Sequence, residues 1–587
     1  IGNILQEKGE PDAAMRNFDK AIQLKPDFAE AHLNRGNALR KLNQLKKAVA
    51  SHDKAIELKP DFAEGHNNLG NVFQELGEYQ DAIACYQRAI KSNSKYAEAH
   101  YNLGKVYKEL EKNQEAVSCY QTAIKLDPNN SRSHNNLGNV LMKLKKYQEA
   151  LICYQDAIKL DPNYSESHNN LGNVYKELNK YQEALACYED AIKLNPKYAE
   201  AHYNLGTAFQ ELEEYYKAIS SHQNAIKLNP NNKKFYYNLA LAEIELGKYH
   251  SAIENYKKAL SISADYTSAK YNLSRLHLAT ENFIAGWSDY EMRQDSDIVP
   301  QRIKNILKLR QWDGKPFDGT LFVHGEQGIG DLIIHSSMIE DLRKIQSKII
   351  LTVDERVFSL FQRSFKDINI KSYDSSLKYT NNDSHIPLAS LGSFLRQSIN
   401  EFPKHPQAYI MPDPERIKYF KNLLSQNQKL KVGLSWSTIG ARSEKRTISL
   451  NQMAKFLTLP DVEFINLQYG DTSEERKKFQ SSHGIELTNF NDLDLMNDFE
   501  SLAALMASCD LVITITNMTS QFSGAIGSKT WVIVPVYTQW NWFHERNDSL
   551  WYPNVQLFRQ QQYGKWEEVI DSLYYEIKNI GINKTNL

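Results

Sequence analysis

A 34-residue segment, SHNNLGNVYKELNKYQEALACYEDAIKLNPKYAE at 167–200, recurs at an unbroken period through the first half of a 587-residue chain. Copies begin at Ala31, Gly65, Ala99, Ser133, Ser167, Ala201, Phe235 and Ala269, with a partial copy before Ala31. No other feature constrains the fold as strongly. A unit this short cannot bury its own apolar face, so each copy must pack on its neighbours and the structure must grow along one axis. Within one copy, Gly172 and Ala184 let the two helices of a hairpin come close, and Tyr175 and Tyr188 are expected to fill the gaps between hairpins. Pro196 ends the second helix.

Leu171, Gly172, Tyr175, Ala184, Tyr188, Ala191 and Pro196 stand at the spacing of the tetratricopeptide repeat (TPR), a family that the array resembles. Residues 1–290 are therefore predicted to form an α-solenoid, a TPR superhelix with a concave groove, made of a partial repeat and eight repeats. The eighth copy keeps its first helix but loses the Ala and Pro markers, so it reads as a cap. Residues 291–318 read as a basic linker.

Three ladders share the period. Cys85, Cys119, Cys153 and Cys187 fall 34 residues apart and read as packing residues, because metal sites want cysteine pairs two to four apart and none occurs. That usage fits a reducing compartment and predicts a cytoplasmic protein. His32, His66, His100, His134, His168 and His202 are spaced too widely for one metal to bridge, and read as packing or polar-surface residues. The third ladder, from Asn34 and Asn68 through Asn102, Asn136, Asn170, Asn204, Asn238 and Asn272, sits on the first helix of each hairpin. Inward amides can grip the backbone of an extended acceptor peptide, or they can serve hydrogen bonding between the helices themselves.

A net charge of −1 removes bulk attraction to nucleic acid or an anionic membrane, and no uninterrupted run of eighteen apolar residues predicts a membrane span. The chain opens at Ile1, inside a repeat and without Met, as a fragment would.

From Thr320 the pattern changes to short apolar runs alternating with helical segments, which predicts βαβ units and parallel sheets. TLFVHG, KIILTVD and INIKSYD form one series, residues 319–427, and VGLSWS, VEFINLQYG, IELTNF, LVITIT and TWVIVPV form a second, residues 428–587. Ligands of such sheets sit beyond the carboxyl ends of the strands. There the loop GEQGIGD places Gly328 and Gly330 where a tight turn and a close ligand are possible, followed by Asp331. Asp331 is either a helix cap or a carboxylate aimed into a cleft as general base. Arg442, Lys445 and Arg446 follow a strand of the second series and suit a diphosphate, although a solvated basic loop has the same composition. Asn517, Thr519 and Ser520 open a helix whose free N–H groups make an anion site. Gln468 and Tyr469 end another strand and are the expected contacts of a nucleoside base.

WDGKPFDGTLFVHGEQGIGD, VGLSWS with RTISL, SLAALMASCDLVITITNMTSQFSGAIGSKTWVIVP and WNWFHERNDSLWYPNVQLFRQ, in that order, resemble bacterial TPR-linked glycosyltransferases. That half is similar to heptosyltransferase-type GT-B enzymes, and the array to that of the protein O-GlcNAc transferases, where an Asn ladder holds the acceptor polypeptide. The resemblance implies a GT-B fold of two Rossmann-like lobes, 319–427 on the acceptor side and 428–587 on the nucleotide-sugar side. It implies that Asp331 is the base, Arg446 a phosphate contact, and Thr519, Ser520 and Gln521 the diphosphate site, with Ser437 beside them. The implied reaction is inverting, hexosyltransferase-like transfer from a nucleoside-diphosphate sugar to an acceptor hydroxyl, without metal or cofactor. Many relatives carry Asp at the place of Thr516 and His at that of Gln521, and Gln cannot relay a proton. Two other readings follow: a peptide-binding scaffold whose lobes are inactive or sense nucleotide sugars, and an enzyme acting on a glycan or a lipid-linked sugar.

Overall fold

The computed structural model describes every residue except 296–307, 326–327, 374–376, 406–407, 440–444, 491 and 586–587. The chain divides into two compact units, Ile1–Pro230 and Asn231–Leu587.

The first unit runs from helix α1 (Gly2–Glu7) to helix α14 (Tyr215–Leu228), paired into hairpins as the period requires. Gly138 lies under the ring of Tyr154, where an added Cβ would stand 2.6 Å from a ring carbon, and Gly172 lies under Tyr188 in the same way. Tyr188 therefore packs inside its own hairpin and does not fill the gap between hairpins, because the missing glycine side chain leaves space on the facing helix. The histidine ladder clamps the turn that precedes each hairpin. The His66 ring bonds the Pro60 carbonyl at 2.9 Å, and His134 and His202 bond Pro128 and Pro196 at 3.2 Å.

The second unit opens with four more helices, α15 (Lys233–Glu245), α16 (Tyr249–Ile262), α17 (Thr267–Ala279) and α18 (Phe283–Tyr290). The expected domain boundary at 290 does not hold. One apolar core runs from Ala240 and Tyr256 through Trp287 and Tyr290 to Trp540 and Leu557. Trp287 meets Trp540 edge-on at 5.4 Å, so the last hairpins bury against the α/β half what earlier hairpins bury against each other. The linker expected over 291–318 is likewise corrected in part: Arg310–Gln311 is a strand and Trp312 is buried.

Two parallel five-stranded sheets follow. The first contains β1 (Arg310–Gln311), β2 (Leu321–His324), β3 (Ile349–Val353), β4 (Asn369–Ser372) and β5 (Ser384–Pro387), in the order β1-β5-β2-β3-β4. The second contains β6 (Leu430–Ser435), β7 (Val462–Asn466), β8 (Leu511–Ile515), β9 (Thr530–Val534) and β10 (Val555–Arg559), in the order β10-β9-β8-β6-β7. The segment IELTNF, expected as a strand, contributes a single bridge between Ile465 and Thr488. Strands β1, β5 and β10 lie outside the predicted set; Ser384–Pro387 is short and half polar, so its apolar pattern is weak. The order reverses beside β6, where its neighbours β7 and β8 come from opposite directions of winding, and such a switch point opens a crevice at the strand ends.

Candidate functional site

A cavity of about 180 Å³ lies at this end of the second sheet, bounded by α15 and α17 of the same compact unit. Its wall takes Lys445 and Arg446 from the segment after β6, Tyr537 and Thr538 from the loop after β9, and Glu245 and Arg275 from the repeat helices. Three cations thus face one carboxylate. Lys445 Nζ lies 3.5 Å from Glu245 Oε2, whereas Arg446 forms no ion pair among the described residues. The Thr538 side chain is 5% exposed, and its hydroxyl has no hydrogen-bond partner among the described residues. A wall of this kind suits a compact dianion.

Asp331 stands at the third position of helix α19 (Ile329–Ser336), whose cap is Gly328, so it is not itself the cap. Its side chain is open to solvent on one side. The protein packed near it raises its carboxyl to about 6, while Arg275, the Gly328 backbone N–H and Arg293 each pull it down. A base with such a pKa is ionised at neutral pH and still accepts a proton readily. Gly328 and Gly330 do not need the left-handed backbone expected of a tight glycine turn; Gly328 has φ −70°. A Cβ on Gly330 would meet Gln521 at 3.7 Å, an ordinary contact, so neither strain nor crowding calls for glycine there.

The other expected donor contacts are turned inward. Gln468 is 1% exposed, and its carbonyl accepts from the Ser435 hydroxyl at 3.0 Å and from the Trp436 and Ser437 N–H groups at 2.8 Å. Its amide donates to the Tyr469 carbonyl at 2.9 Å. The structure therefore corrects its assignment to a nucleoside base: every polar atom of Gln468 shapes the end of β6. Tyr469 is half-buried, with its hydroxyl 3.2 Å from that of Thr438.

Asn517 caps the helix Met518–Ala525 by accepting from Ser520 N–H at 3.3 Å, and its amide reaches Ser435 and the Ser437 carbonyl at 2.8 and 3.1 Å. Thr519 and Ser520 are fully buried. Gln521, 5% exposed, accepts from the Tyr552 hydroxyl at 2.9 Å. None of these side chains lines the cavity. Arg442 lies outside the described residues.

The asparagine ladder takes part in hydrogen bonding between the helices. The amide nitrogens are engaged: Asn102 donates to Asn67 at 3.1 Å, Asn136 to the Tyr101 hydroxyl at 2.9 Å, Asn170 to Asn135 and Asn139 at 3.1 Å, and Asn204 to Asn169 at 2.9 Å. In the second unit, Asn238 donates to the Lys234 carbonyl at 3.0 Å and Asn272 to the Tyr237 hydroxyl at 3.1 Å. Asn102 is buried, but Asn136, Asn170 and Asn204 keep part of their surface exposed, and their side-chain oxygens make no hydrogen bond among the described residues.

Sequence reasoning missed Arg275, Thr538 and Tyr537. For the first the repeat gave no distinct signal: its position is Asn71, Asn139 and Asn173 in some copies but Lys105, Thr207 and Leu241 in others.

Comparison with known proteins is consistent with the repeat architecture. Residues 2–42, 36–77, 70–111, 138–179 and 172–213 match the TPR repeat family, and 97–130, 119–152, 199–232 and 234–266 match tetratricopeptide repeat families. The N-terminal part of the chain is thus an array of TPR repeats. Protein FlbA of Caulobacter vibrioides is 31% identical over 306 residues, which cover 48% of this chain and 50% of that protein. The chain spans half the length of this curated relative. Among solved structures, YrrB, a TPR protein with an unusual peptide-binding site, is 28% identical over 31% of this chain and 95% of its own, with a TM-score of 0.28. The Cut9–Hcn1 hetero-tetramer is 19% identical over 47% of this chain and 54% of its own, with a TM-score of 0.37. No helix among the described residues is long and apolar enough to cross a membrane.

Proposed function

We propose that the chain is a glycosyltransferase that moves a sugar from a nucleoside-diphosphate sugar to an acceptor hydroxyl, with inversion. One observation carries the reading: Asp331, a solvent-open carboxyl raised to about 6, belongs to the same compact unit as a cation-lined cavity, and Arg275 acts on both. An alcohol is a weak nucleophile. Asp331 takes its proton as the new carbon–oxygen bond forms, help worth about 10²–10⁴-fold. The bond from the anomeric carbon to the diphosphate breaks with its electron pair on the leaving oxygen, where Lys445, Arg446 and Arg275 stabilise the charge that develops. Fixed cations do for the diphosphate what a divalent metal does elsewhere, so the reaction as proposed needs none.

The acceptor in this reading is a polypeptide held by the repeats. Asn136, Asn170 and Asn204 would offer carbonyl oxygens, and so recognise backbone N–H groups of whatever sequence. The test is release of nucleotide from a panel of UDP-, GDP-, ADP- and dTDP-sugars by the full chain, with Arg446→Ala as control. Release that the control abolishes supports the enzyme and names the nucleoside. Silence across the panel favours the scaffold reading, which rests on Gln521 being occupied by Tyr552 and so not free to touch a donor.

A further inference from the structure

We infer that Arg275 is a third anion-binding cation of the donor pocket, so that the last, degenerate repeat builds part of the nucleotide-sugar site and does not merely cap the array. The inference rests on the glycosyltransferase reading for the identity of the anion, a nucleoside diphosphate, but the anion site itself stands on the geometry.

Arg275 lies on α17 and lines the cavity beside Lys445 and Arg446. Elsewhere in this unit, Arg396 pairs with Asp341 at 2.9 Å, Arg293 with Glu291 at 2.9 Å and Arg363 with Glu500, while Arg559 donates to the Trp542 and Phe543 carbonyls. Arg275 has no such pair among the described residues. The tyrosines around it, Tyr537, Tyr271, Tyr290 and Tyr256, offer hydroxyls and ring faces, with the guanidinium carbon 5.7 Å from the Tyr271 ring centre. These hold a cation in place without neutralising it. The guanidinium stays charged at any physiological pH. Asp331 and Glu245 act on it only from a distance, without a direct ion pair, so a ligand anion has a place to bind. Thr538 adds an independent sign: a hydroxyl 5% exposed, on the same wall, without a partner among the described residues.

The repeat itself records the change. At this position Asn71, Asn139 and Asn173 each accept from the tyrosine fifteen residues on, at 2.8, 2.7 and 2.9 Å. In the last copy that tyrosine is Tyr290, and the asparagine has become Arg275. Other copies also depart from Asn, with Lys105, Thr207 and Leu241, but the arginine stands in the copy that faces the strand ends of the second sheet.

The experiment is calorimetric titration of the full chain with inorganic pyrophosphate and with UDP, GDP and ADP. Arg275→Asn restores the residue of some earlier copies and is expected to fold, with thermal unfolding as the check. Pyrophosphate affinity is expected to fall about tenfold or more, the scale of one lost charge-assisted contact. Thr538→Val, which keeps the shape of the wall, is expected to weaken pyrophosphate about threefold, on the scale of one neutral hydrogen bond. Arg275→Asn binding within about twofold of the unaltered chain overturns the assignment, as does an unaltered chain that binds neither pyrophosphate nor any of the three nucleotides. Pyrophosphate binding that depends on Arg275, in a chain that turns over no nucleotide sugar, leaves this inference standing and sinks the glycosyl-transfer reading.

Discussion

The Lys445 ammonium stands 3.5 Å from the Glu245 carboxylate, joining a strand-end segment of the second sheet to the repeat helix α15. Glu245 is 4% exposed, so the pair is a buried one. Removing one partner strands the other charge. Glu245→Gln is expected to lower the stability of the second unit by ~3 kcal/mol. Because it also leaves the cavity with one negative charge fewer, pyrophosphate should bind more tightly. Thermal unfolding and calorimetry on one preparation read both effects, and unchanged pyrophosphate affinity would detach the pair from the pocket.

Asp331→Asn should preserve the fold and donor binding while reducing transfer at least about 100-fold. The base works only when ionised. With a pKa near 6, kcat/KM should be level above neutrality and fall as the pH drops through about 6. Since Arg275 lowers this pKa, the acid limb should move to higher pH in Arg275→Asn. A limb that stays in place in that variant counts against the coupling of the two residues.

Gln468→Ala distinguishes scaffolding from recognition. It leaves the Ser435 hydroxyl and two backbone N–H groups without their acceptor. At about 1–3 kcal/mol for a stranded buried group, a marked loss of stability is expected, with no change in preference among nucleoside bases. A selective change of base preference in a stable variant would restore Gln468 to the ligand.

His52 and His222 occupy the place under which other hairpins put Tyr154 or Tyr188, against Gly36 and Gly206. Burial draws their imidazoles down to about 4 and about 3. The unfolded chain takes up these protons near 6.5 and the folded one does not. Stability of the first unit should therefore be full above about pH 6.5 and fall as the pH drops towards 4. His52→Tyr with His222→Tyr should flatten that slope, as measured by denaturant unfolding across the range.

Asn43, Glu111, Lys145, Asn179 and Glu213 each hold the left-handed turn of a hairpin that Gly77 holds without strain; Lys145 has φ +57°. The left-handed conformation costs about 1–2 kcal/mol for a residue with a Cβ, partly offset by the entropy that glycine loses. Lys145→Gly should thus raise stability by roughly 0.5–1 kcal/mol. A fall in melting temperature would show that the lysine side chain contributes more than its backbone costs.

The hairpins and the parallel sheets were legible because each is written in a local period. Gln468 was misread because its exposure depends on Ser435, Trp436 and Ser437 closing over it, which no spacing reveals. The boundary at 290 was misplaced for the same kind of reason. Trp287 looks like a repeat residue until Trp540 is seen against it.

What the sequence alone determined is the architecture of each part: a 34-residue array, then two series of βαβ units, because hydrophobic periodicity and glycine placement act over a few residues. What only the tertiary structure decided is which charges share a cavity. Arg275, Lys445, Arg446 and Glu245 come from segments far apart in the chain, and the character of an ionisable group is set by what packs around it. An arginine at this repeat position is visible in the sequence; that it faces two other cations and an unpartnered threonine is a property of the fold.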